Sequence, residues 1–155
     1  MFDIVLFRPE IPPNTGNIMR LCANAPARLH LIGPLGFRLD ARSVRRAGLD
    51  YRELIDYQLH ASLAECQATL GERRWVALTT HGTTRLDRWE FRPGDVLLFG
   101  SESAGLPETE RARFPPERQL YIPQRAGARS LNLANAVAVS LYEAWRQCEF
   151  SGAAG

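Results

Sequence analysis

Short apolar runs alternate along this chain with segments of helical periodicity, and that alternation restricts the possible folds more than any other feature. The apolar runs predict strands at residues 3–8, 28–33, 75–80, 95–100 and 119–122. The helical segments are residues 15–24, 40–47, 62–70, a short piece after Pro107, and 131–147. Strands that alternate with helices predict an α/β fold, a single mostly parallel sheet with helices on both faces.

The length of the chain indicates one domain. A chain of 155 residues can bury a single core but is too short for two. We therefore assign residues 1–150 to the domain and expect residues 151–155 to form a flexible tail. The N-terminal stretch lacks a basic region, and no apolar run approaches the roughly 20 residues that a membrane span needs. These features predict a cytoplasmic protein without a membrane segment.

The basic residues exclude several kinds of chemistry. All 19 of them are arginines, so the chain has no lysine for a Schiff base, a lysine general base or a P-loop. The formal net charge of +2 gives only weak support for a nucleic-acid partner. Arg42, Arg45 and Arg46 have helical i, i+3, i+4 spacing and would form one basic face. This face suits phosphate groups, and a simple solvated surface remains the alternative.

Ligands of parallel α/β sheets bind beyond the carboxyl ends of the strands, and three segments of this chain fit that position. Residues 9–24 leave a strand through a proline-rich turn and enter a helix at Asn14. Residues 99–107 form a glycine-bounded loop that carries one carboxylate, Glu102. Residues 122–135 lead from the last strand into the last helix. We expect the functional site to lie where these segments meet.

The last helix has unusual composition at its beginning. Apolar residues fall on every side between residues 131 and 145, so this helix should be buried on most faces. Ser130, Asn132 and Asn135 are polar and lie near its first turn, where unpaired backbone N–H groups could receive a ligand. Alternatively, Ser130 only caps the helix and the two asparagines bind neighbouring loops.

Familiar catalytic motifs do not account for these segments. The two glycines at 100 and 105 have P-loop spacing but no following Lys-Ser/Thr, and neither G-x-G-x-x-G nor G-x-S-x-G occurs where it would be needed. The three histidines are scattered and unpaired with suitably spaced cysteines or acids, which predicts core or surface roles and no metal site. The three cysteines, an odd number, are predicted to be reduced and mostly buried.

Taken in order, the three segments resemble the SPOUT class of RNA methyltransferases. Their motifs have the forms N-x-G-x-x-x-R, G-x-E-x-x-G after a strand, and S-x-N-x-x-N before a helix, here beginning at Asn14, Gly100 and Ser130. The resemblance covers essentially the whole chain. Agreement with the members of minimal length, which methylate the ribose 2′-oxygen of the tRNA wobble nucleotide, extends to PEIPPNTGNI, RLCAN, RLHLI, GLDY, ALTT and YEAWRQ.

The resemblance implies a fold, a cofactor and an assembly. It implies a C-terminal trefoil knot, S-adenosylmethionine as the cofactor, no metal, and a homodimer paired through the first and last helices. Tyr142 could then lie in the dimer interface, or else in the core. The implied cofactor contacts, mainly from the backbone, are Leu78, Gly100, Gly105, Ile122, Ser130 and Leu131. The implied catalytic residues are Asn14, Arg20, Glu102 and Asn132.

The expected function is methyl transfer to the ribose 2′-oxygen of the wobble nucleotide, C or modified U, of tRNA. Ser103 and Ala104 depart from the more usual Thr-Arg of the family, so one arginine that could contact the substrate is missing. A guanidinium does not lose its proton in proteins, so we expect Arg20 to act by electrostatic stabilisation. The alternatives are another RNA position, a non-catalytic RNA-binding module, and a small-molecule enzyme on the same scaffold.

Overall fold

The computed structural model describes residues 1–46 and 56–155, which form one seven-stranded sheet with helices on both faces. The sheet order is β3-β2-β1-β6-β4-β7-β5, and all six strand pairings in the described part of the chain are parallel. The strands are β1 (Phe2–Phe7), β2 (Ala27–Ile32), β3 (Tyr57–His60), β4 (Trp75–Leu78), β5 (Thr84–Arg85), β6 (Val96–Phe99) and β7 (Gln119–Tyr121). The predicted α/β fold is confirmed.

The described residues contain five α-helices, of which the last follows the final strand. They are α1 (Pro12–Asn24), α2 (Ala41–Arg46), α3 (Leu63–Leu70), α4 (Glu108–Arg111) and α5 (Leu133–Gln147). Ala47, the last residue of a predicted helix, and the GLDY segment lie outside the described residues. A search of the described residues finds no helix that is long and apolar enough to cross a membrane.

Alternate side chains of β1 pack into two separate cores, one on each face of the sheet. Ile4 and Leu6 pack on one face of the sheet with α1 and α5, while Val5 and Phe7 pack on the other face with α3. All six residues of β1 are buried. Apart from Asp3, the strand is therefore apolar without alternation because helices cover both of its faces, as is typical of parallel sheets.

The predicted strands are confirmed to within two residues, but two strands were missed. β3 contains exposed Gln58 and Leu59 at the edge of the sheet, so its sequence lacks the apolar run of a central strand. β5 has only two residues, too few for any periodicity. Both lie at sheet edges, where burial places few demands on the sequence.

The last strand lies between two earlier ones. β7 pairs with β4 on one side and with β5 on the other, although β4 and β5 precede it in the chain. The connection from β4 to β5 passes close to β7, since Thr79 N–H donates to Leu120 C=O and Thr83 N–H donates to Gln119 C=O. A Cβ atom on Gly82 would lie 2.5 Å from the Leu120 carbonyl carbon, so only glycine fits this crossing.

Helix α5 is mostly covered, as expected. Leu133, Val137 and Leu141 are buried against α1 and the sheet. One stripe stays exposed in the single chain and contains the apolar side chains of Val139 and Tyr142, at 46% and 43% exposure. Tyr142 is therefore not a core residue.

Candidate active site

Three neighbouring strands present their carboxyl ends at one edge of the sheet. β6, β4 and β7 are adjacent, and Leu78 is in register with both Phe99 and Leu120. The segments that follow them therefore begin side by side. Leu78, Gly100 and Ile122, which the sequence analysis assigned to cofactor binding, lie within two residues of this common line. The structure brings these three positions to the same edge.

The loop from Gly100 to Gly105 is a tight turn closed by its own backbone. Ser101 N–H donates to Gly105 C=O at 3.3 Å, and Gly105 N–H returns to Ser101 C=O at 2.9 Å. A Cβ atom on Gly100 would lie 2.0 Å from Leu106 N, and Gly105 has a positive φ of 66°. Closure of the loop therefore requires glycine at position 100, and the backbone conformation favours glycine at position 105.

Glu102, within this loop, binds the beginning of α1. Its carboxylate oxygens accept the backbone N–H groups of Glu10 at 3.0 Å and Ile11 at 2.5 Å. Ile11 is the N-cap of α1, and its apolar side chain cannot cap the helix. Glu102 therefore supplies an anionic cap from a residue about 90 positions away, where the helix dipole favours negative charge.

Glu10, which precedes α1, in turn binds the loop of residues 100–105. Its carboxylate oxygen accepts the Ser103 hydroxyl at 2.6 Å and the Ser103 N–H at 3.3 Å. The Ser103 hydroxyl bond is the main reason that the pKa of Glu10 lies below its ordinary value. We call these reciprocal bonds the Glu10–Glu102 clamp. The sequence analysis missed Glu10, because an acidic residue beside a proline-rich turn carries no motif.

Two asparagines extend this arrangement to α5. Asn14 is 5% exposed; its Nδ2 donates to Glu102 Oε2 at 3.4 Å, and its Oδ1 accepts from Asn132 Nδ2 at 2.9 Å. Asn132 in turn caps α5, since its Oδ1 accepts the Asn135 N–H at 3.2 Å. We call this chain of bonds the Glu102–Asn14–Asn132 network. It joins all three predicted segments.

The structure corrects the predicted helix cap. Ser130 does not cap α5; Asn132 does, and the helix begins at Leu133 instead of residue 131. Ser130 and Leu131 are exposed in the segment before the helix. Arg20 is exposed on α1, and its C=O accepts the Asn24 side-chain amide. The Arg20 side chain is not one of the groups that form the Glu102–Asn14–Asn132 network.

Two further predictions concern arginines and histidines outside this network. Arg42, Arg45 and Arg46 are exposed on α2 and line one surface pocket, so the basic face exists. The predicted core and surface roles of the histidines are confirmed, since His30 and His60 are buried and His81 is exposed. The two buried rings also meet, with His30 Nδ1 3.0 Å from His60 Nε2. Parallel pairing of β2 with β3 brings these two residues together from positions 30 residues apart, which spacing along the chain could not reveal.

Comparison with known proteins identifies the class to which this protein belongs. The model of the SpoU rRNA Methylase family matches residues 1–142. A protein of Methylovorus glucosotrophus named tRNA (cytidine(34)-2′-O)-methyltransferase is 55% identical over 153 residues, 99% of each chain. A solved structure described as "Structural insights into the 2-OH methylation of C/U34 on tRNA" is 48% identical, with a TM-score of 0.87 over 97% of each chain.

A third comparison includes the cofactor. The SpoU methyltransferase AviRb of Streptomyces viridochromogenes, solved in complex with AdoMet, is 29% identical with a TM-score of 0.80 over 97% of this chain and 58% of that one. The fold and the site at the carboxyl ends of β6, β4 and β7 thus define a methyltransferase. The chain belongs to the SpoU methylase family.

Proposed function

We propose that this protein transfers a methyl group from S-adenosylmethionine to the ribose 2′-oxygen of the wobble nucleotide of tRNA. The Glu102–Asn14–Asn132 network carries the proposal, because it joins the three motif-bearing segments at the edge where parallel sheets bind ligands. The choice of tRNA and of the wobble ribose rests on the names of the relatives. Cytidine and modified uridine are both proposed substrates.

The residues of this edge fit the cofactor. Leu78, Gly100 and Ile122 begin three neighbouring segments, and residues 123–131 are exposed along their whole length, so peptide N–H and C=O groups are accessible. Such groups can bind an adenine, ribose hydroxyls and an amino-acid moiety without a charged side-chain motif. The proposed contacts are Leu78, Gly100, Gly105, Ile122, Ser130 and Leu131.

The hydrogen bonds of Glu102 assign it a positioning role. Its two oxygens already accept three N–H groups, from Glu10, Ile11 and Asn14. These bonds direct the carboxylate at the beginning of α1. Glu102 and Asn14 therefore fix α1 against the loop of residues 100–105, while Asn132 orients the start of α5.

Arg20 is the proposed catalytic residue on α1. When bound, S-adenosylmethionine supplies a methyl group that is already activated by a sulfonium. The guanidinium of Arg20 keeps its proton, anchors a phosphate of the RNA and stabilises the negative charge that develops on the ribose 2′-oxygen. The remaining task is alignment, which the fixed network performs. These roles involve no metal.

The fold is proposed to include the trefoil knot of its family. The insertion of β7 between β4 and β5, under the connection of residues 79–83, supports this threading. At Gly82 the connection passes so close to β7 that an added Cβ atom would lie 2.5 Å from the Leu120 carbonyl carbon.

A homodimer that forms in the cytoplasm is also proposed. The exposed stripe of α5 offers Val139 and Tyr142 for burial, and Ile11 before α1 is 45% exposed. Apolar side chains of this size stabilise an interface when water is excluded from them. The exposed Arg42, Arg45 and Arg46 face would contact phosphates of the tRNA.

The function is tested by mapping the methyl group. Purified protein is incubated with labelled S-adenosylmethionine and unmodified tRNA, and with the same tRNA carrying a single 2′-deoxy wobble nucleotide. We expect methylation of the first substrate alone. Methylation of both would move the reaction to another position, and binding of tRNA without any methyl transfer would indicate a non-catalytic RNA-binding module. Methyl transfer to a small molecule would contradict the RNA substrate.

A further inference from the structure

Three side chains with metal-binding atoms meet beneath α3, in the core that Val5 and Phe7 share with that helix. His30 on β2, His60 at the end of β3 and Cys66 on α3 are 3%, 4% and 0% exposed. Their nearest potential ligand atoms all lie within 4.8 Å of one another. The cluster could not be predicted from the sequence, because the three residues do not have the spacing of a metal-binding motif.

A buried carboxylate orients the first histidine. His30 Nε2 lies 3.0 Å from Asp3 Oδ1, and Arg28 donates two hydrogen bonds to the same carboxylate. Because an ionised carboxylate only accepts, the ring proton of His30 lies on Nε2 and the lone pair of Nδ1 points toward His60. A carboxylate behind the distal nitrogen is typical of histidines that bind metals.

The beginning of α3 is fixed next to the second histidine. Ser62 is the N-cap, and its hydroxyl accepts the Glu65 N–H at 3.1 Å. The Glu65 carboxylate in turn accepts the Ala61 N–H. This capping box holds the turn between His60 and Cys66, so the two donor residues do not depend on a flexible loop for their positions.

From this geometry we propose that His30 Nδ1, His60 Nε2 and Cys66 Sγ bind one zinc ion. Imidazole nitrogen and cysteine sulfur are the donors that zinc prefers, and three protein ligands leave one position for a water molecule. Tetrahedral zinc requires ligand atoms roughly 3.3–3.6 Å apart. The two nitrogens at 3.0 Å must separate slightly, and the Cys66 sulfur, which lies within 4.8 Å of them, must move closer.

Binding changes the protonation of the ligands. Without metal, the hydrogen bond between the histidines uses a proton on His60 Nε2, since His30 Nδ1 is the acceptor. Zinc replaces that bond, His60 shifts its proton to Nδ1, and Cys66 binds as a thiolate after losing its proton to solvent. One proton is released for each zinc ion bound.

Such an ion would stabilise the outermost strand on one side of the sheet, β3. β3 is the edge strand beyond β2, and Leu59 is 56% exposed within it. The ion would join β2, β3 and α3 through side chains. Neither the Glu10–Glu102 clamp nor the Glu102–Asn14–Asn132 network includes any of these ligands, so the zinc site is separate from the proposed site of methyl transfer.

Cobalt(II) is the probe for this site. Untagged full-length protein is treated with chelator, desalted under reducing conditions and titrated with Co²⁺. We expect one equivalent to produce the visible absorption bands of tetrahedral cobalt and a thiolate-to-cobalt charge-transfer band, both removed by equimolar Zn²⁺, because zinc binds more tightly. The melting temperature should rise with Zn²⁺. If the wild-type protein gives no tetrahedral cobalt spectrum, the proposal is wrong.

Matched cysteine variants identify the ligand. Cys66→Ser should lose the charge-transfer band and the thermal shift, whereas Cys22→Ser, which alters a buried thiol in the other core, should retain both. His60→Gln should lose the tetrahedral spectrum, and His81→Ala, at an exposed histidine, should keep it. Spectra that are unchanged in Cys66→Ser and His60→Gln would overturn the assignment.

Discussion

Two polar clusters of this molecule are built in opposite ways. The Glu102–Asn14–Asn132 network joins residues 88 and 118 positions apart, and its members lie at the open carboxyl edge of the sheet. The Asp3–His30–His60 cluster joins residues about 30 positions apart and is buried beneath α3. The network centres on the partly exposed carboxylate of Glu102, which accepts backbone and amide N–H groups, whereas the cluster centres on a fully buried carboxylate paired with arginine.

The difference separates function from stability. Small polar groups at an accessible edge can be replaced without leaving a buried charge, so their loss should affect methyl transfer more than folding. A buried carboxylate with its partners costs several kcal/mol when one partner is removed, because the other charge stays buried. We therefore expect variants at the edge to be folded and inactive, and variants in the cluster to be destabilised and active.

The largest expected effect on activity comes from Gly100. Gly100→Val places side-chain atoms where Leu106 N lies 2.0 Å from a Cβ, so the loop cannot close and S-adenosylmethionine should not bind detectably. Gly105→Ala is the matched comparison, since a Cβ there meets open space and only the positive φ is unfavourable. It should weaken binding far less. Equal calorimetric affinities of Gly100→Val and wild type would place the cofactor elsewhere.

The second largest effect on activity is expected at Arg20. Arg20→Ala should lower methyl transfer to tRNA on the order of 10²-fold or more, the usual cost of one lost transition-state donor, with fold and cofactor affinity unchanged. Arg20→Lys keeps the charge but not the planar fork. Partial activity of this variant would indicate charge stabilisation, and full inactivity bidentate positioning. Arg88→Ala, at an arginine with 73% side-chain exposure, is the control. Near-wild-type turnover by Arg20→Ala would remove Arg20 from the mechanism.

A smaller loss is expected at Glu102. Glu102→Gln keeps one carbonyl acceptor for the start of α1 but loses the charge that favours a helix N-terminus, so turnover should fall about 10-fold and stability by roughly 1 kcal/mol. Glu108→Gln, an exposed residue in the first turn of α4, should do neither. A Glu102→Gln variant with no turnover but full stability would instead assign a catalytic role to this carboxylate.

The smallest effect on turnover, with a large one on stability, is expected at Asp3. Asp3→Asn removes the buried anionic acceptor of Arg28 and His30 and should lower the free energy of unfolding by about 2 kcal/mol, the usual range for lost hydrogen bonds to a charged group. The cost is not larger because the Arg28 side chain is about half exposed and stays hydrated. Turnover per folded molecule should be unchanged. Chemical denaturation and single-turnover assays at low temperature measure the two quantities. An Asp3→Asn protein that is stable but inactive would break the distinction between the clusters.

The same distinction explains what could be predicted from the sequence. Asn14, Glu102 and Asn132 were identified because each lies in a motif at fixed spacing, and their meeting follows from the parallel sheet. Glu10 was missed because its role depends on the shape of the loop that contains Ser103. The buried positions of His30 and His60 agree with the prediction, but their contact was missed because strand pairing, which the sequence does not state, brings them together. The cap of α5 was uncertain because Ser130 and Asn132 are both good capping residues, and only backbone geometry selects Asn132.

The central claim is that the residues of the network act as one unit at the site of methyl transfer. The most direct measurement is a double-mutant cycle on Asn14 and Asn132, whose side chains form a hydrogen bond of 2.9 Å. Single-turnover methyl transfer to tRNA is measured for Asn14→Ala, Asn132→Ala and the double variant, each with its unfolding free energy. The account predicts that the double variant is no slower than the slower single variant, with all three folded. Rate losses that simply multiply, or turnover close to wild type in all three, would contradict it.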